Sequence, residues 1–157
     1  ALSVQEAELS MMRRLGADED DMLLAQSNLA STYQLLERNE SALRMRKSVY
    51  SGYLRLAGEE HRATLVAANN YASLLAKINR FEEAKVLLRK VLPVVRRIQG
   101  ESHMNTLKMR WNYADALFKD DGATLDDLCE AVTTLEETEP IARRVFGGAH
   151  PLTEGLE

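Results

Sequence analysis

Small and apolar residues return along this chain at mixed three- and four-residue steps, the spacing that lines side chains up on one face of an α-helix. Leu24, Leu29, Ala30 and Tyr33 form one such stripe, Leu65, Ala68, Ala72 and Leu75 a second, and Ala84, Leu87, Leu88, Val91 and Val95 a third. Short polar turns interrupt the stripes at fixed places. GEEHRATL begins at Gly58, GESHMNTL at Gly100 and GGAHPLT at Gly147, with a weaker GADEDDML from Gly16 that has Glu19 in the histidine slot. Successive glycines are 42, 42 and 47 residues apart. A second marker keeps the same register, in SNLASTY around Asn28, NNYASLL around Asn70 and WNYADAL around Asn112.

Each period therefore predicts two antiparallel helices. Ala30, Ala72 and Ala114 recur in the first helix and Ala42, Ala84 and Ala131 in the second, small side chains that let paired backbones approach closely. A hairpin of this size cannot bury its apolar face alone, so the units are expected to stack. The boundaries that follow are 16–57, 58–99 and 100–146 for three repeats, with 1–15 as the second helix of a preceding repeat and 147–157 as the start of a further one. The five extra residues of the third repeat lie between Asn112 and Ala131, in the turn-like KDDGATLDD. Leu9, Met11, Met12 and Leu152 suggest faces that expect neighbours, as in a piece of a longer array; the alternative is a native half-unit cap.

NNYASLLAKINRFEEAKVLLRKVL resembles a tetratricopeptide repeat, and the 42-residue period with its G-x-x-H loop resembles the variant found in kinesin light chains and related proteins. That resemblance implies an all-α, right-handed α-solenoid of stacked antiparallel helix hairpins. It also marks departures. Glu37 stands where the turn between paired helices usually has glycine, and Asn39 stands where Phe81 supplies the usual apolar residue. Asn79 adopts the left-handed conformation more readily than Glu37 does.

Composition fits long helices and short turns: 157 residues, 45% hydrophobic, with 8 Gly and 3 Pro. A net charge of −4 argues against a nucleic-acid binder that works by neutralising phosphates. The lone Cys129 excludes an internal disulfide framework and suits a reducing, cytoplasmic setting. No apolar run approaches the roughly 18 residues of a membrane-spanning helix, and no signal-peptide pattern opens the chain.

His61, His103 and His150 are all the histidines, and they occupy one slot in successive repeats. Neighbouring repeats lie about 10 Å apart, whereas zinc ligands must each reach about 2 Å from one ion, so a shared metal is disfavoured. These histidines, with Thr64, Thr106 and Thr153 three residues on, are expected to form a helix-start device. Cys129, beside Leu125 and Leu128, reads as a small core residue. The acidic pairs Asp120/Asp121, Asp126/Asp127 and Glu136/Glu137 are adjacent in sequence, and adjacent helical residues point about 100° apart, which does not make an acid/base dyad. With no phosphate-binding glycine loop and no HExxH, the chain reads as non-enzymatic, without cofactor or metal.

By the same resemblance, the first helix of each repeat lines a concave groove, and the residue two before the small alanine projects into it. This falls on Asn28, Asn70 and Asn112, whose amides can pair with the backbone of an extended peptide. The competing reading has these asparagines bonding between helices. Neighbouring groove positions would be Ser27, Ser31 and Gln34 in the first repeat, Asn69, Ser73 and Lys77 in the second, and Lys108, Trp111, Asp115, Phe118 and Lys119 in the third. Trp111 is either an exposed anchor or buried between repeats. The carboxylate-clamp pattern fits only Lys108 and Asn112. The favoured function is a scaffold for a peptide or protein partner; the alternative is an assembly subunit held through convex or terminal faces, at Met11, Met12 or Phe146.

Charge divides by repeat. Lys85, Arg89, Lys90, Arg96 and Arg97 sit on the second repeat's second helix, while residues 120–139 carry eight acidic side chains and no basic one. Ion pairs between repeats, or steering of a charged partner, are expected from this. Arg13, Arg55, Arg97 and Arg144 each end a second helix, where a cation complements the helix dipole.

Overall fold

The structure, a computed structural model, describes residues 2–147. Every regular element among them is helical. The chain forms two compact units, Ala1–Leu74 and Leu75–Glu157. The first holds α1 (Leu2–Leu15), α2 (Glu19–Leu35), α3 (Asn39–Ala57) and most of α4 (Arg62–Lys77); the second holds the end of α4, α5 (Phe81–Gln99), α6 (Met104–Lys119) and α7 (Leu125–Phe146).

The helix starts explain the recurring histidines. The imidazole Nδ1 of His61 accepts the Ala63 N–H at 3.3 Å, and that of His103 accepts the Asn105 N–H at 3.1 Å. Each satisfies an amide that the first helical turn leaves without an internal partner. In the first repeat Asp18 takes this part, accepting the Asp20 N–H at 2.9 Å, so the cap sits one residue before the Glu19 that the repeat register singled out. The threonines do something else. Thr64 and Thr106 are buried with hydroxyls that have no hydrogen-bond partner. His150 and Thr153 lie outside the described residues, as does Leu152.

At the far ends, Gly58 and Gly100 adopt φ of 84° and 85° as helix C-caps, a region a Cβ disfavours. The turns inside the hairpins meet the same demand without glycine: Glu37 has φ 56° and Asn79 φ 60°. The first repeat thus keeps the turn despite Glu37, at a cost of about 1 kcal/mol for a side chain in that conformation. In the third repeat the insertion is shared out. The connection between α6 and α7 runs from residue 120 to 124 against 78 to 80 between α4 and α5, and Ala131 is the seventh residue of its helix where Ala84 is the fourth of its own. Three of the five extra residues are therefore nearly one added turn of α7, opened by a capping box between Thr124 and Asp127.

The small-residue columns are the tightest parts of the packing. Ala30, Ala42 and Ala72 in the first unit, and Ala84 and Ala114 in the second, have no solvent-exposed surface. Around Leu23, Val49, Tyr53 and Ala67 the first unit builds a core cluster with Tyr50 and Ala63 at its edge. Tyr50 stacks on Tyr71 with ring centroids 6.3 Å apart. Gly52 lets α3 close on α2, since a Cβ there would lie 2.4 Å from Leu23 Cδ2.

Two side chains assigned to the core are not in it. Leu24 is 55% exposed, and its neighbour Leu23 takes the buried position. Cys129 is exposed on α7, because the stripe that α7 buries runs through Ala131, Thr138 and Ala142. Lys85, expected on an outward charged face, is the reverse case at 2% exposure.

Candidate protein-binding faces of the first helices

In the first unit, α2 presents Leu24, Asn28, Ser31 and Leu35 at helical spacing, all four of them exposed. Ser27, Ser31 and Gln34 are not simply turned to solvent. They surround the guanidinium of Arg46, which projects from α3 and is 7% exposed. Its Nη1 donates to the Ser27 carbonyl and Oγ, both at 3.4 Å, and its Nη2 to Ser31 Oγ at 2.9 Å and Gln34 Oε1 at 3.4 Å. Nε is buried without a partner. Burial lowers the Arg46 pKa from its ordinary value. Among the described residues no carboxylate forms an ion pair with it. The sequence carries a signal for it: Leu88 and Leu135 fill the same repeat position, so Arg46 is a cation in an apolar column.

On α4, Asn70 and Ser73 are half-buried and Lys77, in the second unit, is exposed. Asn69 is buried and has an interaction within the protein.

In the second unit, α6 carries Lys108, Trp111, Asp115 and Phe118 along one stripe. Lys108 is exposed, Trp111 half-buried, and Phe118 is 70% exposed, a large apolar area for an aromatic ring to leave in water. Asp115 is tied to Lys119 by an ion pair of 2.8 Å. Asn112 is half-buried and has a partner inside the protein.

The opposite side of α6 is electrostatically closed. Arg110, almost fully buried, donates to Glu101 at 3.0 Å and to Glu137 at 2.7 Å. Arg89 donates to the Tyr113 hydroxyl at 2.7 Å and to Asp127 and Glu130 at 3.2 Å, while Tyr113 donates to Glu130 at 2.7 Å. Burial, then the bond to Glu130, pushes the Tyr113 pKa up to about 12. Lys85 meets Asp120 at 2.7 Å and also pairs with Glu82. Burial alone would lower the Lys85 pKa, but those carboxylates reverse the sign and raise it. The Lys85 bond, then the Gly122 N–H, holds the Asp120 carboxyl below its usual range. Lys85 with Asp120, and Arg89 with Asp127 and Glu130, are ion pairs of the kind that the uneven charge distribution implied. Those of Arg89 and Arg110 line a cleft of about 220 Å³ whose charges already have protein partners.

Residues 21–97 match the family model of the tetratricopeptide repeat, and that stretch carries the repeat. Proteins built from it are protein-interaction scaffolds. Among solved structures, the chain is similar to the nearly identical TPR-like repeats of a kinesin-light-chain candidate from Podosopora anserina, with a TM-score of 0.79, 20% identity, 99% of this chain covered and 72% of the other. A single-substitution form of that protein aligns with a TM-score of 0.82 at 19% identity, covering 99% and 71%. BtubC (BKLC) from P. vanneervenii aligns with a TM-score of 0.60 at 16% identity, covering 98% and 68%. The all-α repeat fold is shared with these proteins. No curated protein matches the chain in sequence. No helix among the described residues is long and apolar enough to cross a membrane.

Proposed function

We propose that the chain is a non-enzymatic scaffold that binds a peptide segment or protein partner through the faces of its first helices, α2, α4 and α6. The observation that carries this reading is the α6 stripe. Phe118 leaves most of its ring exposed in line with Trp111, and the charged Lys108 and Asp115 stand on the same stripe, which is the make-up of an interface anchor with a polar rim. Photoreactive residues at positions 70 and 118, compared with position 89 on α5, test it in a native extract. Crosslinks concentrated at 70 and 118 support the reading, and crosslinks concentrated at 89 remove it.

A second reading, an assembly subunit, draws on α1. Val4, Met11 and Leu15 are exposed there at spacing that places them on one side of the helix. A crosslinker at position 11 that captures one stoichiometric partner, with none captured at 70 or 118, would favour it.

A further inference from the structure

We propose that Arg46 and the α2 face above it form a recognition site for an acidic side chain, Asp or Glu, in a partner segment whose flanking residues are apolar. This rests on the scaffold reading and adds the chemistry of one part of the ligand. A buried cation in a folded protein is ordinarily neutralised by a carboxylate, because an uncompensated charge held away from water is costly. Lys85 and Arg110 in the second unit follow that rule, each with two carboxylates. Arg46 does not. Its acceptors are a carbonyl, two hydroxyls and an amide, three of its four contacts are long at 3.4 Å, and Nε–H has no partner.

The surroundings fit an incoming anion. Ser31 is exposed and Gln34 half-buried, so Gln34 can swing off its long contact and let a carboxylate accept from Nη2, and the Ser31 O–H, which donates to the Ser27 carbonyl at 3.2 Å, can turn to the same carboxylate. Leu24 and Leu35, 55% and 85% exposed, stand to either side of Ser31 along the helix. Leu35 is eleven helical steps beyond Leu24, about 16 Å, which an extended segment of roughly five residues spans. Apolar contacts would flank a central charge pair. Leu88 fills the matching position in the second repeat, so this charge is particular to the first.

Panning a displayed library of random seven-residue peptides on the whole chain tests the site. Wild type is expected to select a central Asp or Glu between apolar residues. The Arg46→Leu variant, carrying the residue its sister repeats hold there, and Arg46→Gln, which keeps polarity without charge, are both expected to bind the selected peptide at least tenfold more weakly. Leu24→Ser with Leu35→Ser is expected to lose the apolar preference and keep the acidic one. Affinity should fall as pH drops below about 4, where the peptide carboxylate takes up a proton. Selection without an acidic preference, or equal affinity in the Arg46 variants, overturns the site and leaves the scaffold reading standing. No selected peptide at all removes both.

Discussion

Arg46 in the first unit and Leu88 in the second occupy one place in their repeats, 42 residues apart, four residues after the small alanine of the second helix. One position thus supports opposite solutions. At Leu88 the side chain is completely buried. At Arg46 the neighbouring helix supplies hydroxyls and an amide, enough to hold a guanidinium but not to neutralise it. The second unit places its buried cations at other positions, Lys85 and Arg110, and surrounds each with carboxylates. The difference separates charge used to join helices from charge left available, since an ion pair completed within the protein has little left to offer a ligand, whereas Arg46 retains its full attraction for an anion.

The comparison breaks most sharply if the second unit is given the first unit's residue. Leu88→Arg places a cation among apolar side chains without the serines that cradle Arg46, and should cost about 4 kcal/mol or more, enough to unfold the second unit. Urea denaturation followed by circular dichroism would read this as loss of the cooperative transition; a midpoint close to wild type would show that the position tolerates charge in either unit.

Asp120→Asn is the next largest effect. It takes one of two carboxylates from Lys85 and should lower the melting temperature, by less than Leu88→Arg does. The pH dependence has a definite sign. The Asp120 pKa is depressed in the folded protein, first by Lys85 and then by the Gly122 N–H, so its stabilising contribution is present above the ordinary carboxylate pKa of about 4 and is lost as pH falls through the folded value. Melting curves between pH 7 and pH 3 should show wild type losing more stability on acidification than Asp120→Asn. Parallel curves would mean that the pair contributes nothing.

Arg46→Leu should move stability the other way. Replacing an unneutralised buried guanidinium with the apolar residue of the sister repeats is expected to raise stability by about 1 to 2 kcal/mol, seen as a higher urea midpoint. A loss instead would mean that the four neutral hydrogen bonds outweigh the burial of the charge. The smallest change is at the turns. Glu37→Gly should stabilise by about 0.5 to 1 kcal/mol through relief at φ 56°, while Asn79→Gly, starting from a residue suited to that region, should gain less. Equal gains would show that Glu37 is not strained.

The helix-start device and the groove show where the sequence could be read and where it could not. The histidines were legible as caps because a cap is local: Nδ1 reaches an amide two residues away, and the repeat register shows the same residue before the same turn. The cap of the first repeat slipped by one residue, since an aspartate reaches the same kind of amide from a different starting point. Thr64 and Thr106 looked like partners in that device by spacing, yet both are buried with unbonded hydroxyls. At the groove positions, the repeat register marks the outward face of α2 but not its underside. It points to Ser27, Ser31 and Gln34 and not to Arg46, because that residue lies on the other helix of the hairpin and only packing brings them together.

The sequence by itself determined the elements: helix pairs at a 42-residue period, small residues where backbones meet, and the position of the inserted stretch. Those follow from periodicity and turn chemistry, which act over a few residues. Tertiary structure decided which member of each pair faces in. Leu23 and not Leu24 is buried, Cys129 is exposed and Lys85 enclosed, and three of the five inserted residues continue a helix. A helical stripe is wide enough for either of two neighbouring residues to fill it, and a charged side chain carries no mark of whether a partner waits on the next helix. Only the meeting of the helices assigns carboxylates to Lys85 and leaves Arg46 without one.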